Sequence, residues 1–531
     1  MLSLQSLLAA AILMTLWTPT AADSPAAAPV ATVSSSSHGV NARDEYGKTA
    51  LIRAAAGGKT RRVKALIKKG ADVNEADFSG KTALYVATKA ACVKALIDAG
   101  ANLEARDKEG KTALIVASRV DCIKALIDAG ANVNAKDKFG STALLYAAIN
   151  GRTDYMKVLI AAGSDVNATN ITGVTPLIWS AGESNADCVN TLIAAGADIK
   201  AKDTYGRTAL LYAAGDGMVD CLKALIASGA DVNAKDNVGR SALMNAALNG
   251  KVDCVKALLG VGVDVNMKSN NGTTALMEAA NASSADCARA LIAGHAEVNV
   301  KNDDGTTALM EAANASYPNN ADCVKVLLAA GANVKAQDND GGTALMFAAG
   351  EGRIDCVKTL IAGGADVSAK ANDGTTALMY AASTNKSDCA RALIAAGAGV
   401  NTTASDGATA LLYAAAADMP DCIKVLMASG ADLNVKGDDG TTALFSAAFN
   451  GRAECLKVLI NAHMDVNASN IKGTTPLMAA VEASSEACVG ALIKAHANVN
   501  ARDHSGATAL SLVGTGHSRI IRALTAAGAT K

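Results

Sequence analysis

The chain has 531 residues, half of them apolar, yet only 16 are aromatic, so its core has to be built from Ala, Leu, Ile, Val and Met. Its 49 basic residues are matched by 50 acidic ones, which excludes the positive field that draws proteins to nucleic acid or to anionic membranes. Length alone would suggest three or four domains of roughly 150 residues, a prior that yields where a sequence repeats at a fixed period.

Residues 1–22, MLSLQSLLAAAILMTLWTPTAA, place an apolar run from Leu7 to Trp17 before small residues that permit cleavage after Ala22, the pattern of a secretory signal peptide. The run is shorter than the roughly 20 apolar residues that span a bilayer, and it departs from the pattern in having no Lys or Arg ahead of it. Export to the periplasm or the cell exterior is expected, with no membrane insertion once the signal is removed. Residues 23–40 are rich in Pro, Ala and Ser, with too little apolar surface to fold, and read as a disordered linker.

From residue 41 the pattern Gly-x-Thr-Ala-Leu recurs, its glycine at 47, 80, 110, 140, 173, 206, 239, 272, 305, 341, 374, 407, 440, 473 and 506. These glycines define units 1 to 15. Most intervals are 33 residues, with 30 after Gly80 and Gly110 and 36 after Gly305. The length changes fall between two apolar segments and mark a surface loop there. Residues 271–283 and 304–316 differ at one position of thirteen, which points to internal duplication.

Unit 6 shows the elements. Leu210, Ala213 and Ala214 have the spacing of one helical face. Asp220 opens a second helix, in which Cys221, Leu222, Leu225 and Ile226 form an apolar stripe and Lys223 points away. Gly229 suits a left-handed helix cap, and DVNAKDNVG then makes a turn into the next unit. Each unit is predicted to be helix, loop, helix and extended turn. Unit 1 (near 41–79), with Arg53, Arg61, Arg62, Lys64, Lys68 and Lys69, and unit 15 (near 506–531), with Ser518, Arg519 and Arg522, read as polar caps.

The 33-residue period, Gly-x-Thr-Ala-Leu and the later Gly-Ala-Asp-Val-Asn together resemble the ankyrin repeat across residues 41–531. The resemblance implies an all-α solenoid of stacked helix-loop-helix units with β-hairpin-like finger turns. Two features depart from the family. Its proline survives only at Pro176 and Pro476, and its histidine slot holds Ile52, Tyr85, Leu145, Met244, Met277 and Phe445 among others. Since that histidine ties neighbouring repeats by hydrogen bonds in the family, packing of Met and Leu is expected to take over.

All twelve cysteines occupy one slot at the start of the second helix, and three units carry Arg62, Tyr155 and Ile521 there instead. Helices pack about 8 to 10 Å apart, beyond the roughly 7 Å Cα limit for a disulfide, so these residues are expected to be small buried hydrophobes. One thiol per repeat does not supply a zinc site. His295, His463 and His496 replace the cap glycine, a position histidine tolerates. DNDGG at 338–342 lacks the glutamate of a calcium loop, Ala349 standing in its place. Sequons such as those at Asn271 and Asn314 lie where Asn is already favoured as a turn former. No catalytic constellation and no cofactor motif is present.

Two slots vary between units. The positions just before the glycine carry Tyr46, Phe78, Phe139, Ile171, Tyr205 and Val238 in the first half, and Asp303, Asp304, Asp340, Asp373, Asp406, Asp438 and Asp439 in the second. Six residues after the glycine stand Tyr146, Trp179, Tyr212, Glu278, Glu311, Phe347, Tyr380 and Tyr413. The resemblance implies that fingers and first helices line a concave partner-binding side. The expectation is a monomeric, non-enzymatic scaffold for a protein partner, with an apolar patch followed by an acidic one suited to a basic segment. The first-helix aromatics have an equal claim to packing beneath the fingers. A thiol-based redox buffer or antioxidant is the alternative.

Overall fold

Threonine, or Ser241 in unit 7, starts the first helices. Thr142 and Thr343 hold extended backbone while their hydroxyls accept the N–H three residues on, satisfying a donor the helix leaves open. At Pro176 and Pro476 the ring occupies the first helical turn, where no N–H is needed. The molecule, a computed structural model, is described over residues 39–316, 320–514 and 516–530. The expected signal (1–22) and all but the last two residues of the expected linker (23–40) lie outside them.

The described residues form fifteen units in sequence order. First helices run Ala50–Ala56, Ala113–Val116, Ala143–Ile149 and onward to Pro476–Glu482, and second helices run from Thr60–Lys68 to Ser518–Ala526. From Ala113–Val116 onward each first helix packs on the next first helix, and each second helix packs on the next second helix along the whole array. The Leu of each first helix, the twelve cysteines, and the apolar residue after each of them with the Leu one turn on join one continuous interior. Hairpin-like bridges close six fingers, Arg43 with Thr49 and Lys235 with Ser241 among them. No helix among the described residues is long and apolar enough to cross a membrane.

Three units correct the expected four-part pattern. Units 2 and 15 have only turns where the first helix belongs, and in unit 3 that helix is four residues long. The three residues missing from units 2 and 3 are therefore taken from the first helix and not from a loop. Tyr155 in unit 4 lies against shortened unit 3. Its ring lies under the Arg152 guanidinium at 3.8 Å, and its hydroxyl donates to the Ser118 carbonyl.

The cysteine slot has a direction. The Cys254 and Cys422 thiols approach Ala213 O and Ala381 O at 3.9 and 3.6 Å, and Cys92 Sγ meets Thr60 Oγ1 at 3.2 Å, always on the preceding unit. The residue after it faces the following unit. Unit 1 has no predecessor, so Arg62 is exposed while Val63 is buried. In unit 15 the first segment is one residue short, so Ile520, not Ile521 as counted from the glycine, fills the slot. Ile520 is buried and Ile521, with no unit to follow it, is 42% exposed.

The bonding between units is only partly the Met and Leu packing expected. Ile52, Leu145, Met244 and Met277 are buried in the former histidine slot, and the Met310, Met379 and Met478 thioethers accept the N–H of the capping threonine at 3.4 to 3.5 Å. Two further ladders run along the fingers. From unit 2 onward the amide two residues before the glycine donates to the finger before it, as Ile171 N does to Phe139 O at 2.9 Å and Asn237 N to Tyr205 O at 3.0 Å. Side chains add to this: Asn74 Oδ1 accepts from Asn102 N at 2.7 Å while its Nδ2 reaches Gly100 O, and Lys202 Nζ donates to Lys235 O. The finger glycine is required by this close stacking. Gly173 has φ +74, and a Cβ there would stand 3.1 Å from Asp203 Cα.

Candidate partner-binding face

An aspartate three residues before the glycine, or Asn170 in unit 5, builds each finger in the first half. Asp203 Oδ1 accepts the amides of Tyr205 and Arg207 at 2.9 and 2.8 Å, an Asx turn that thrusts the intervening side chains outward. Tyr46, Phe78, Phe139, Ile171, Tyr205 and Val238 are accordingly exposed, from 38% for Tyr205 to 68% for Ile171. The second oxygen of the same carboxylate anchors the first helix: Asp137 Oδ2 accepts from Tyr146 OH at 2.8 Å and Asp203 Oδ2 from Tyr212 OH at 2.7 Å. Burial and these carboxylates push both phenols well above their ordinary range. Lys111 Nζ stands 5.1 Å from the Tyr146 ring and Arg207 5.5 Å from Tyr212. Trp179 is half-buried, its indole N–H without a partner. The first-helix aromatics of this half, Tyr146, Trp179 and Tyr212, are thus packed against the core beneath the fingers, as one of the two expectations had it.

Asp303, Asp304, Asp340, Asp373, Asp406, Asp438 and Asp439 are all exposed. In units 11 to 13 the turn-forming position holds Ala371, Ala404 and Gly437. There the residue next to the glycine takes over, and Asp373, Asp406 and Asp439 each accept the amide two residues on at 2.9 Å. The Thr375 hydroxyl and amide hold the Asp373 carboxyl below the usual range. In units 11 to 13 the turn-building carboxylate has therefore moved from inside the finger to its end, whereas Asn302 and Asp338 still build the turn in units 9 and 10. The sequence signal for it was the loss of Asp or Asn three places before the glycine in those units.

Glu278 is not a free surface group. It is 5% exposed, and Arg240 Nε lies 3.3 Å from its carboxylate. Glu311 stands in the same slot one unit on, and burial, with Glu278 adding to it, raises its carboxyl above the ordinary range. Both line a groove of about 620 Å³ with Arg240, Asn271, Asn281 and Asp304. Arg207 and Arg240, which directly follow their glycines, went unremarked as partners of this row.

All twelve cysteines are buried and free. Burial pushes Cys254 and Cys389 up to about 11 and Cys323 to about 12. His295, His463 and His496 have φ of 66, 59 and 61°, the left-handed caps expected of them.

The model of ankyrin repeats, built as three copies, matches the chain in overlapping segments from residues 29–107 to 411–503. The chain belongs to the ankyrin-repeat family. Among solved structures it is similar to the human ASB11 ankyrin repeat domain, at 27% identity and a TM-score of 0.39, over 42% of this chain and 98% of that one. No curated protein matches it.

Proposed function

We propose that this ankyrin-repeat protein is a non-enzymatic scaffold that captures a protein partner on its finger and first-helix face. The placement of exposed apolar side chains carries the reading. Of the eleven large hydrophobic residues exposed among those described, nine lie on fingers or first helices: seven at finger tips, including Ile471, and Tyr380 and Phe449 on first helices. Aromatic and aliphatic tips bury large area at small entropic loss and serve as hot spots. The membership of the family supports the same reading, since ankyrin arrays are generally interaction scaffolds. Tyr46, Phe78, Phe139, Ile171, Tyr205 and Val238 would form the apolar contact, and Asp340, Asp373, Asp406 and Asp439 the acidic one. Export through residues 1–22 and a monomeric state belong to the same proposal; N-terminal sequencing of the mature chain and sedimentation test them.

A photo-crosslinking residue at position 139 or 373 is expected to capture a discrete protein in the native compartment, while one at position 223, on the outer side of the second helix, captures none. Equal labelling from all three positions, or none from any, would refute the scaffold. The thiol-based alternative is opposed by burial. At pH 8 a thiol titrating near 11 is ionised in only about one molecule in a thousand, and the thiolate is the reactive form. Iodoacetamide is expected to label the cysteines only after denaturation; rapid labelling of the native chain would favour the redox reading.

A further inference from the structure

The two halves of the ring slot differ in what satisfies them. In units 4 and 6 the tyrosine hydroxyl is held by the finger aspartate, and a lysine or arginine of the chain covers the ring. Among the described residues every cation–ring contact lies in units 1 to 6. In units 10 to 12 the slot holds Phe347, Tyr380 and Tyr413, each half-exposed, with Tyr380 at 37%. The positions equivalent to Arg207 there are Gly342, Thr375 and Ala408, none of them charged, and the anchoring aspartate of units 11 and 12 is replaced by Ala371 and Ala404. The finger of each unit instead ends in an exposed carboxylate, Asp340, Asp373 or Asp406. Beside Tyr413 the wall opens into a pocket of about 400 Å³, walled by Asp406, Asp438 and Asp439.

Each unit from 10 to 12 therefore repeats one ring and one carboxylate, the two groups that bind a cation from its face and from its edge, and among the described residues no cation of the chain covers these rings. Neighbouring first helices stand about 10 Å apart, and an extended segment in the polyproline II form advances about 3.1 Å per residue with three residues to the turn, so residues three apart span one unit and point the same way.

We propose that units 10 to 12 take an extended segment of a protein partner that carries an arginine or lysine at every third residue, one cation to each ring-and-carboxylate slot. This rests on the scaffold reading and names the partner chemistry of one part of that face.

The test uses the full chain and two fluorescent peptides of equal composition. One has four arginines each followed by Ser-Ala, and the other has the four arginines consecutive. Anisotropy titration in about 50 mM salt is expected to show the spaced peptide binding at least about fivefold tighter, with both weakening as salt screens the contact. Tyr380→Ala is expected to weaken the spaced peptide about fivefold, and Asp340→Asn, Asp373→Asn and Asp406→Asn together at least about tenfold. Ala408→Arg, which copies the place of Arg207 and gives Tyr413 its own cation, is expected to weaken it too, and circular dichroism confirms that each variant stays folded. Equal binding of the two peptides marks general attraction of polycations to an acidic surface and overturns the proposal. So does failure of the spaced peptide to bind, or variants that bind it like the parent chain. Capture from position 139 alongside any of these failures leaves the scaffold standing and removes only this inference.

Discussion

Asp216 closes the first helix of unit 6, where burial lifts its carboxyl to about 6 although Lys251 pulls the other way. The folded chain holds this proton more tightly than the unfolded chain, whose carboxyl titrates near 4. Stability is therefore lost as pH rises through that window, because the native state is the one binding more protons. Asp216→Asn is expected to stabilise the protein by about 1 kcal/mol at pH 7.5, discounted for the group's remaining solvent contact, and to change nothing near pH 4. Urea titrations at the two pH values check this, and an equal gain at both would assign the effect to packing. The twelve cysteines show how far single residues were legible. Their burial followed from one slot in a stripe, whereas the direction of that slot did not, because a helical period says which side is buried and not which neighbour buries it.

Among elements, the fingers hold more of the bonding between units than the sequence discloses. The backbone ladder leaves no sequence signal, since any residue but proline offers an N–H. Its side-chain part is legible afterwards as an Asn or Lys recurring once per unit. Asn74→Ala removes both its bond from Asn102 N and its bond to Gly100 O, and is expected to cost about 1 kcal/mol. Hydrogen exchange should show the loss confined to units 1 and 2; an effect spread over the whole array would mean that the units do not behave as nearest neighbours. Helix boundaries were legible in the 33-residue units and not in the 30-residue ones. A three-residue deletion can shorten either a loop or a helix at the same apparent spacing, and only packing decides which. The candidate face was legible at its tips, where turn chemistry dictates exposure. It was not legible at Glu278, whose burial depends on Arg240, a residue of the unit before.

For the whole molecule, stability is a sum of units and the interfaces between them. Val489, fully buried in unit 14, precedes a cap whose own outward residue, Ile521, is its one exposed large hydrophobe. Deleting residues 506–531 would uncover an apolar end face that the cap now covers. The shortened chain is expected to associate or precipitate at micromolar concentration by light scattering, whereas a further Ile521→Lys change in the full chain leaves it unassociated.

The one-way cysteine slot sets a condition on how the array is made. A backward-facing thiol finds its carbonyl only on a unit already emerged from the ribosome, so each newly synthesised module can dock at once on finished structure, without waiting for anything still unmade. Because twelve of the fourteen joints carry this cysteine, a module copied in frame between two of them inherits a matching socket on either flank. The near-identical neighbours at 271–283 and 304–316 are what such copying leaves behind.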